Sequence, residues 1–204
     1  LFDELSAEAS KEPFVEKGWP RLELVWKSSS IPVCWENANE ANKWYRSIVQ
    51  QAVVDTWQAH SSIKFSGWES CVKNNRGIRI LISDEGPHTK GLGTILDGKK
   101  NGMILNDTYQ NWSPSCQDRL AYCSYVIAVH EFGHAIGFAH DHNRPDTPEH
   151  CDEPQAGSVG SPEALDWTPW DKKSVMNYCN PKWSNGGKLS KFDVYQVQRL
   201  YGKP

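Results

Sequence analysis

The order of hydrophobic patterns along the chain predicts an α+β fold. Short stretches with alternating or continuous apolar side chains, which are typical of strands, fill much of the first half of the sequence. Two longer stretches have the spacing or composition of helices, and a Pro-rich segment with little periodicity separates the second of them from a short C-terminal helix. With 204 residues the chain has the size of one domain, which can contain two lobes.

The strand candidates are short and precede the long helices or lie between them. Leu22, Leu24 and Trp26 alternate with polar neighbours, and an apolar stretch around Cys34 follows. Both patterns indicate extended backbone. Together the predicted strands cover residues 22–26, 31–35, 63–65, 78–82, 91–96 and 103–105.

Three helices are predicted. The first begins after Asn37 or Asn39 and continues to about His60, because apolar side chains recur every three or four residues. The second covers residues 118–136, which contain good helix formers and no Pro. The third runs from residue 191 to about 200, where Ser190 and Asp193 have the spacing of a capping box. Residues 141–168 carry four prolines and are predicted to be irregular.

The charge and the apolar runs exclude two classes of function. The chain has 22 Lys and Arg against 25 Asp and Glu, so it lacks the positive excess that binding to nucleic acid requires. Its longest apolar run, residues 125–129, is far shorter than the ~20 residues needed to cross a bilayer, so no membrane span is expected. Residues 1–18 are polar and could be an N-terminal arm, a leader or a residual prosegment.

The cysteines indicate an extracellular protein. There are six, widely spaced and without a C-x-x-C pair, which fits disulfide bonds better than a thiolate metal site. Fifteen pairings are possible; proximity in the chain favours Cys116 with Cys123, which leaves Cys34 with Cys71 and Cys151 with Cys179 as a guess. A free Cys34 could instead block a metal site as a switch.

Three histidines form the strongest signal in the sequence. His130 and His134 are four residues apart on a predicted helix, so both side chains project from the same face and can bind one ion. His140 could join them only if the helix ends first, and Gly137 stands where a left-handed residue would end it. Three neutral imidazoles leave one tetrahedral position of a zinc ion open, which is typical of a catalytic site. Glu131 is then placed to act as the general base toward water.

Residues 130–140 match the pattern H-E-x-x-H-x-x-G-x-x-H, and the chain therefore resembles the metzincin zinc proteases. Met176, in the stretch S-V-M-N-Y, resembles the methionine of the Met-turn that packs beneath the three imidazoles in that family. The resemblance implies a twisted, mostly parallel five-stranded sheet with an antiparallel edge strand and two long helices in an upper lobe, residues 19–137. It also implies an irregular lower lobe with a C-terminal helix, residues 138–204.

Within the metzincins, Tyr178 and the stretch H-D-H-N-R-P-D, which begins at the third histidine, His140, make the chain most similar to the astacins. The resemblance implies that Tyr178 is a fifth zinc ligand that moves to stabilise the tetrahedral intermediate. Astacins have Glu after the third histidine, paired with the N-terminal ammonium, whereas this chain has Asp141. Whether the shorter Asp141 supports the site through the same pairing stays open.

The family resemblance also predicts where a peptide would bind. Metzincins bind substrate as an added strand along a sheet edge, and chain order predicts that this edge consists of Gly91, Leu92, Gly93, Thr94, Ile95 and Leu96. A glycine-rich surface hairpin is the alternative for the same residues. The pocket on the primed side is expected to be walled by residues 180–187.

These features predict a secreted zinc endopeptidase with one catalytic ion and no other cofactor. We expect it to act as a monomer on protein or peptide substrates. One alternative is a catalytically inactive, secreted binding protein in which zinc only stabilises the fold, although Glu131 would then serve no chemical purpose. A second alternative is an amidase or deacetylase for small molecules.

Overall fold

The computed structural model describes residues 19–151 and 159–204. The polar segment 1–18, with its possible arm or prosegment, lies outside the described residues. Within the two described ranges no helix combines the length and apolar character needed to cross a membrane.

In the described part of the chain, five strands form one mixed sheet. They are β1 (Ser30–Trp35), β2 (Lys64–Ser70), β3 (Ile78–Ile82), β4 (His88–Thr89) and β5 (Met103–Leu105). The order across the sheet is β2-β1-β3-β5-β4. The first four strands in this order pair in parallel, and β4 pairs antiparallel with β5 at the edge. The predicted mostly parallel sheet with an antiparallel edge strand is therefore confirmed.

The described residues also form three α-helices. They are α1 (Lys43–Val53), which continues as a π-helical turn over Val54–Gln58, α2 (Leu120–Ala135) and α3 (Lys191–Tyr201). The Trp57 indole N–H donates to the Val129 carbonyl at 2.9 Å and joins the end of α1 to α2. Phe132 of α2 meets Phe65 of β2 with ring centroids 5.0 Å apart. All three predicted helices are confirmed, and the capping box of Ser190 and Asp193 is formed.

Helix α2 is central to the core. Every residue from Val126 to Ala135 is buried, as expected of a helix that is apolar on most sides. The exceptions to this apolar character are His130, Glu131 and His134, which are buried as well. Because burying polar groups is costly unless they are paired or bind a metal, these three side chains mark a site.

Two predicted strands are wrong. Leu22–Leu24 is a short 3₁₀ helix, and so is Gly93–Leu96 within the predicted edge strand. Gly91 and Gly93 have positive φ angles of 140° and 48°, and a Cβ atom at Gly93 would overlap the Leu24 carbonyl. This close approach between the two segments bends the backbone away from an extended path. The edge strand is instead β4, which is too short to produce an alternating pattern.

The disulfide pairing predicted from the sequence is confirmed. Cys34 is bonded to Cys71, Cys116 to Cys123 and Cys151 to Cys179. Every cysteine is therefore paired, and the hypothesis that Cys34 acts as a thiol switch is wrong. The Cys151 bond fastens Cys179, and thus the chain directly after Tyr178, to the irregular segment.

Removal of the Cys34–Cys71 bond is expected to destabilise the protein more than removal of the Cys116–Cys123 bond. The sequence separations are 37 and 7 residues. Loop-closure entropy then gives losses of about 4 and about 2 kcal/mol in the free energy of unfolding. Urea unfolding of the two double Cys→Ser variants measures both values. Equal losses would show that strain or residual structure, rather than chain entropy, controls the effect.

Candidate metal centre

Helix α2 orients two imidazoles toward one point. The ring centroids of His130 and His134 are 4.7 Å apart, as expected for positions one turn apart. The Nδ1–H of His130 donates to the Val175 carbonyl at 2.8 Å, and that of His134 donates to the Phe138 carbonyl at 2.7 Å. Because a carbonyl can only accept, both Nε2 atoms keep a lone pair for a metal ion.

The end of α2 brings in the third imidazole. Gly137 has a φ angle of 104°, which only glycine adopts readily, and the Phe138 N–H donates to the Gly133 carbonyl at 3.0 Å. The turned chain places His140 Nε2 at 3.2 Å from His130 Nε2 and at 3.1 Å from His134 Nε2. Zinc–nitrogen bonds of ~2.0–2.1 Å in tetrahedral geometry separate their nitrogens by roughly 3.3 Å, so this donor set fits zinc.

The three-histidine group is suited to a cation in its charge state as well. Burial lowers the pKa of His130 to about 3, with His140 as a second cause, and burial also lowers the pKa of His134 well below its ordinary value. Both imidazoles are thus neutral at physiological pH, which is the form that binds metal ions. The ligand atoms of His130, His134 and His140 all lie within 4.8 Å of one another.

Glu131 places a carboxylate beside this group. It is 6% exposed, and its Oε2 atom has no hydrogen-bond partner among the described residues. Burial raises the pKa of Glu131 to about 8, and a bound divalent cation would act in the opposite direction. A buried carboxylate oxygen without a partner among the described residues fits a role toward a ligand of the site.

The predicted Met-turn lies under the ligand helix. Met176 is buried, and a Cβ atom at Gly133 would overlap its sulfur. The absence of a side chain at Gly133, between His130 and His134, therefore lets the Met176 side chain approach α2 directly. The Met176 carbonyl accepts from the Asp141 N–H at 2.9 Å, which fastens the Met-turn to the chain after His140.

Asp141 supports this part of the site from a buried position. Its Oδ2 atom accepts from the Asp171 N–H at 2.9 Å, and its Oδ1 atom is 4.0 Å from Nε of Arg144. Arg144 is buried over the Trp19 ring and also binds Asp146 through two nitrogens. The N-terminus, whose pairing with Asp141 the sequence analysis left open, lies outside the described residues.

Asp193 also holds the Met-turn in place, a contact that the sequence analysis did not predict. Asp193, the capping-box residue of α3, accepts from the Ser174 hydroxyl at 2.7 Å and from the Val175 N–H at 3.1 Å. Val175 in turn accepts from the His130 ring, so α3 holds the turn that orients the first ligand. The sequence spacing of the capping box identified Asp193 as a residue that begins α3. It could not show that the same carboxylate contacts residues 174 and 175, which are distant in the sequence.

Tyr178 lies over the histidine group. Its ring centroid is 4.5 Å from that of His140 and 5.5 Å from that of His130, and the residue is 42% exposed. His142, which the sequence analysis did not single out, stacks on Tyr178 with centroids 4.6 Å apart. The Nδ1 atom of His142 accepts from the Tyr178 N–H at 3.3 Å. Tyr178 is thus close to two of the three imidazoles and is partly exposed.

A cavity of about 170 Å³ opens in front of the histidines. Of the six residues in the predicted edge strand, Gly91 and Leu92 line it, together with His88 and Thr89 of β4. The remaining lining residues are Pro87, Glu131, His134, His140 and Tyr178. The edge of the sheet and the candidate metal centre therefore share one cleft.

Comparison with known proteins agrees with this geometry. Residues 113–156 match the family model described as Astacin, a peptidase family. The solved structure of myroilysin aligns with a TM-score of 0.62 at 19% identity and covers 92% of this chain and 99% of that chain. Residues 113–156 are therefore similar to the astacin family, and the chain shares the fold of myroilysin. High choriolytic enzyme 1, a hatching enzyme zinc-protease from Oryzias latipes, gives a TM-score of 0.61 at 17% identity over 89% of this chain and 96% of that chain.

Two curated relatives are much longer than this chain. Zinc metalloproteinase nas-39 of Caenorhabditis elegans is 30% identical over 109 residues, which cover 38% of this chain and 12% of that relative. Protein SpAN of Strongylocentrotus purpuratus is 25% identical over 174 residues, which cover 80% of this chain and 26% of that relative. The chain therefore corresponds to a minor part of each relative's length.

Proposed function

We propose that this chain is a secreted, zinc-dependent endopeptidase that hydrolyses internal peptide bonds. The observation that carries the proposal is the convergence of three imidazole Nε2 atoms beside a buried carboxylate with an unpaired oxygen. The names of zinc metalloproteinase nas-39 and of the hatching enzyme zinc-protease support the same chemistry. Residues 19–204 would form one catalytic domain, with lobes at 19–137 and 138–204, that acts as a monomer.

In the proposed reaction the metal ion and the protein side chains have different roles. His130, His134 and His140 would hold the zinc ion, which when bound supplies Lewis-acid chemistry toward water and a peptide carbonyl. Glu131 takes up a proton from the attacking water at its carboxylate and later delivers it to the leaving amine. Glu131 is 6% exposed, and its buried surroundings strengthen its electrostatic interactions with the reacting groups.

Tyr178 would donate its hydroxyl hydrogen bond to the oxyanion that develops on the substrate carbonyl. Its ring lies beside two of the imidazoles, and 42% of the residue remains exposed. A Tyr178→Phe variant is expected to lose about 10²- to 10³-fold in kcat, as for other single oxyanion donors, with little change in KM. Steady-state kinetics at fixed zinc content measures both constants, and an unchanged kcat would contradict this role.

We propose that the peptide adds to the free edge of β4. His88 and Thr89 pair with β5 on one side only, and both residues line the cleft that contains Glu131. An extended peptide there would form main-chain hydrogen bonds, as in other cases of strand addition. The substrate edge thus moves from the predicted 91–96 segment to the two residues of β4, with Gly91 and Leu92 beyond its end.

Metal removal tests the proposed function. Casein cleavage is expected to disappear when a chelator removes zinc and to return when one equivalent of zinc is added, because the reaction needs the Lewis acid. Bound metal and cleavage are measured on the same samples. A chain that binds zinc and gains stability from it, but never cleaves casein or a peptide library, would be a zinc-stabilised binding protein instead. Three disulfide bonds support the extracellular location.

A further inference from the structure

A second cavity of about 350 Å³ adjoins the first. The two share Pro87, Glu131 and Tyr178, so they meet at the proposed reaction centre. The second cavity is also lined by Trp112, Ile127, His130, Trp183 and Ser184. It is thus large enough to receive a substrate side chain next to the scissile bond.

The walls of this cavity are mainly apolar. The indoles of Trp112 and Trp183 are partly exposed, at 36% and 40%, while Ile127 of α2 is buried. Each indole has aromatic support, since Trp112 contacts Tyr109 with centroids 6.1 Å apart and Trp183 contacts Tyr122 at 6.4 Å. Exposed tryptophans held in place by neighbouring rings are suited to covering an apolar partner.

No lysine or arginine is among the described residues that line the cavity. Its ionisable members His130, Glu131 and Tyr178 are already used in the proposed reaction. Arg119 does not line the cavity. Its guanidinium lies over the Tyr122 ring, 5.6 Å from the centroid, and Tyr122 in turn contacts the cavity residue Trp183. An acidic substrate side chain would therefore lose its hydration without gaining a salt bridge inside the cavity.

The direction of β4 decides which substrate residue enters the cavity. Pro87 precedes β4 and lines both cavities, whereas Thr89, Gly91 and Leu92 line only the first. A peptide that pairs antiparallel with β4, the more stable arrangement, runs from the Leu92 end toward the Pro87 end. Its N-terminal part then lies in the first cavity, and the residue after the scissile bond faces the second.

We propose that the second cavity selects a large apolar side chain, such as Phe or Leu, at the substrate position directly after the scissile bond. This inference rests on the proposed endopeptidase function. Trp112, Ile127 and Trp183 are then the residues that determine specificity. Burial of a side chain of this size in such a cavity corresponds to a preference of roughly 10- to 100-fold over Ala.

The test uses a peptide series that differs only at this position, with Phe, Leu, Ala, Asp or Lys. We expect kcat/KM to be roughly 10- to 100-fold higher for Phe and Leu than for Ala, and lowest for Asp. Trp183→Ala is expected to reduce the ratio of kcat/KM for the Phe peptide to that for the Ala peptide by at least about four-fold. This is the fold-change that corresponds to the burial of one CH₂ group. Trp44→Ala, an exposed tryptophan on α1, is the matched control and should leave the ratio unchanged.

Binding of the same peptides to the zinc-loaded Glu131→Gln variant, by calorimetry, gives a readout that does not depend on turnover. Tighter binding of the Phe peptide than of the Ala or Asp peptide is expected. Cleavage and binding that ignore this position, or that favour Asp, would overturn the inference and leave the proposed function intact. Binding with the expected preference but no cleavage by the zinc-loaded wild type would overturn the proposed function instead.

Discussion

A Glu131→Gln variant is expected to hydrolyse peptides about 10²- to 10⁴-fold more slowly than the wild type while it binds the same amount of zinc. Glu131 directly follows the ligand His130 on α2, and one of its oxygens lacks a protein partner among the described residues. Gln has the same shape, but its neutral amide cannot take up a proton from water. The loss therefore falls on the chemical step, and kcat with zinc content measures it.

The matched control for this variant is Glu69→Gln. Glu69 is an exposed residue of β2, so the same chemical change there is expected to alter neither zinc content nor kcat. Full activity in Glu131→Gln would show that another group takes the proton. Loss of zinc from Glu131→Gln would show that the carboxylate supports the metal rather than the reaction.

An Asp193→Ala variant is expected to lose about 2–6 kcal/mol in the free energy of unfolding, because two buried backbone N–H groups lose their acceptor. Asp193 accepts from the Ser190 N–H at 2.8 Å and from the Val175 N–H at 3.1 Å, and the residue is 3% exposed. Burial raises the pKa of Asp193 to about 6, which leaves the carboxylate as the main form at pH 7. Urea unfolding at pH 7, with zinc removed from both proteins, measures the loss.

The same variant is expected to weaken zinc binding, which an effect on stability alone would not require. The Val175 carbonyl accepts from His130 Nδ1, and Asp193 holds the Val175 backbone through its N–H. Loss of an outer contact of this kind typically costs roughly 10- to 100-fold in metal affinity. Asp166→Ala removes a carboxylate outside this network and serves as the control. Unchanged zinc affinity in Asp193→Ala would contradict the link between α3 and the ligand helix.

The metal ligands and the Cys116–Cys123 disulfide could be predicted because their geometry is set over short stretches of chain. His130 and His134 are one helical turn apart, and Gly137 ends that helix before His140. Steric rules for a helix and for a left-handed glycine are sufficient to bring three imidazoles together. The capping box of α3 is local in the same sense, and it was also predicted correctly.

The edge strand of the sheet could not be predicted in this way. The 91–96 segment has the composition of a strand, but its contact with the Leu24 carbonyl favours a bend at Gly93. The true edge strand, His88–Thr89, exists only through its pairing with Met103 and Ile104. Two residues give no periodic pattern, so the signal for this strand lies in its partner and not in its own sequence.

Residue spacing alone was therefore enough to identify the three histidines, the adjacent carboxylate, the helix that carries them and the turn that ends it. Three other features emerge only once distant segments are packed together. Asp193 holds the Met-turn, β4 forms the edge of the cleft, and Trp112 and Trp183 become walls of one cavity. The two sets of features differ in the sequence separation of the residues involved. Local backbone geometry determines the relative positions of side chains that are within a few turns of each other, whereas contacts between distant segments depend on how the whole core packs.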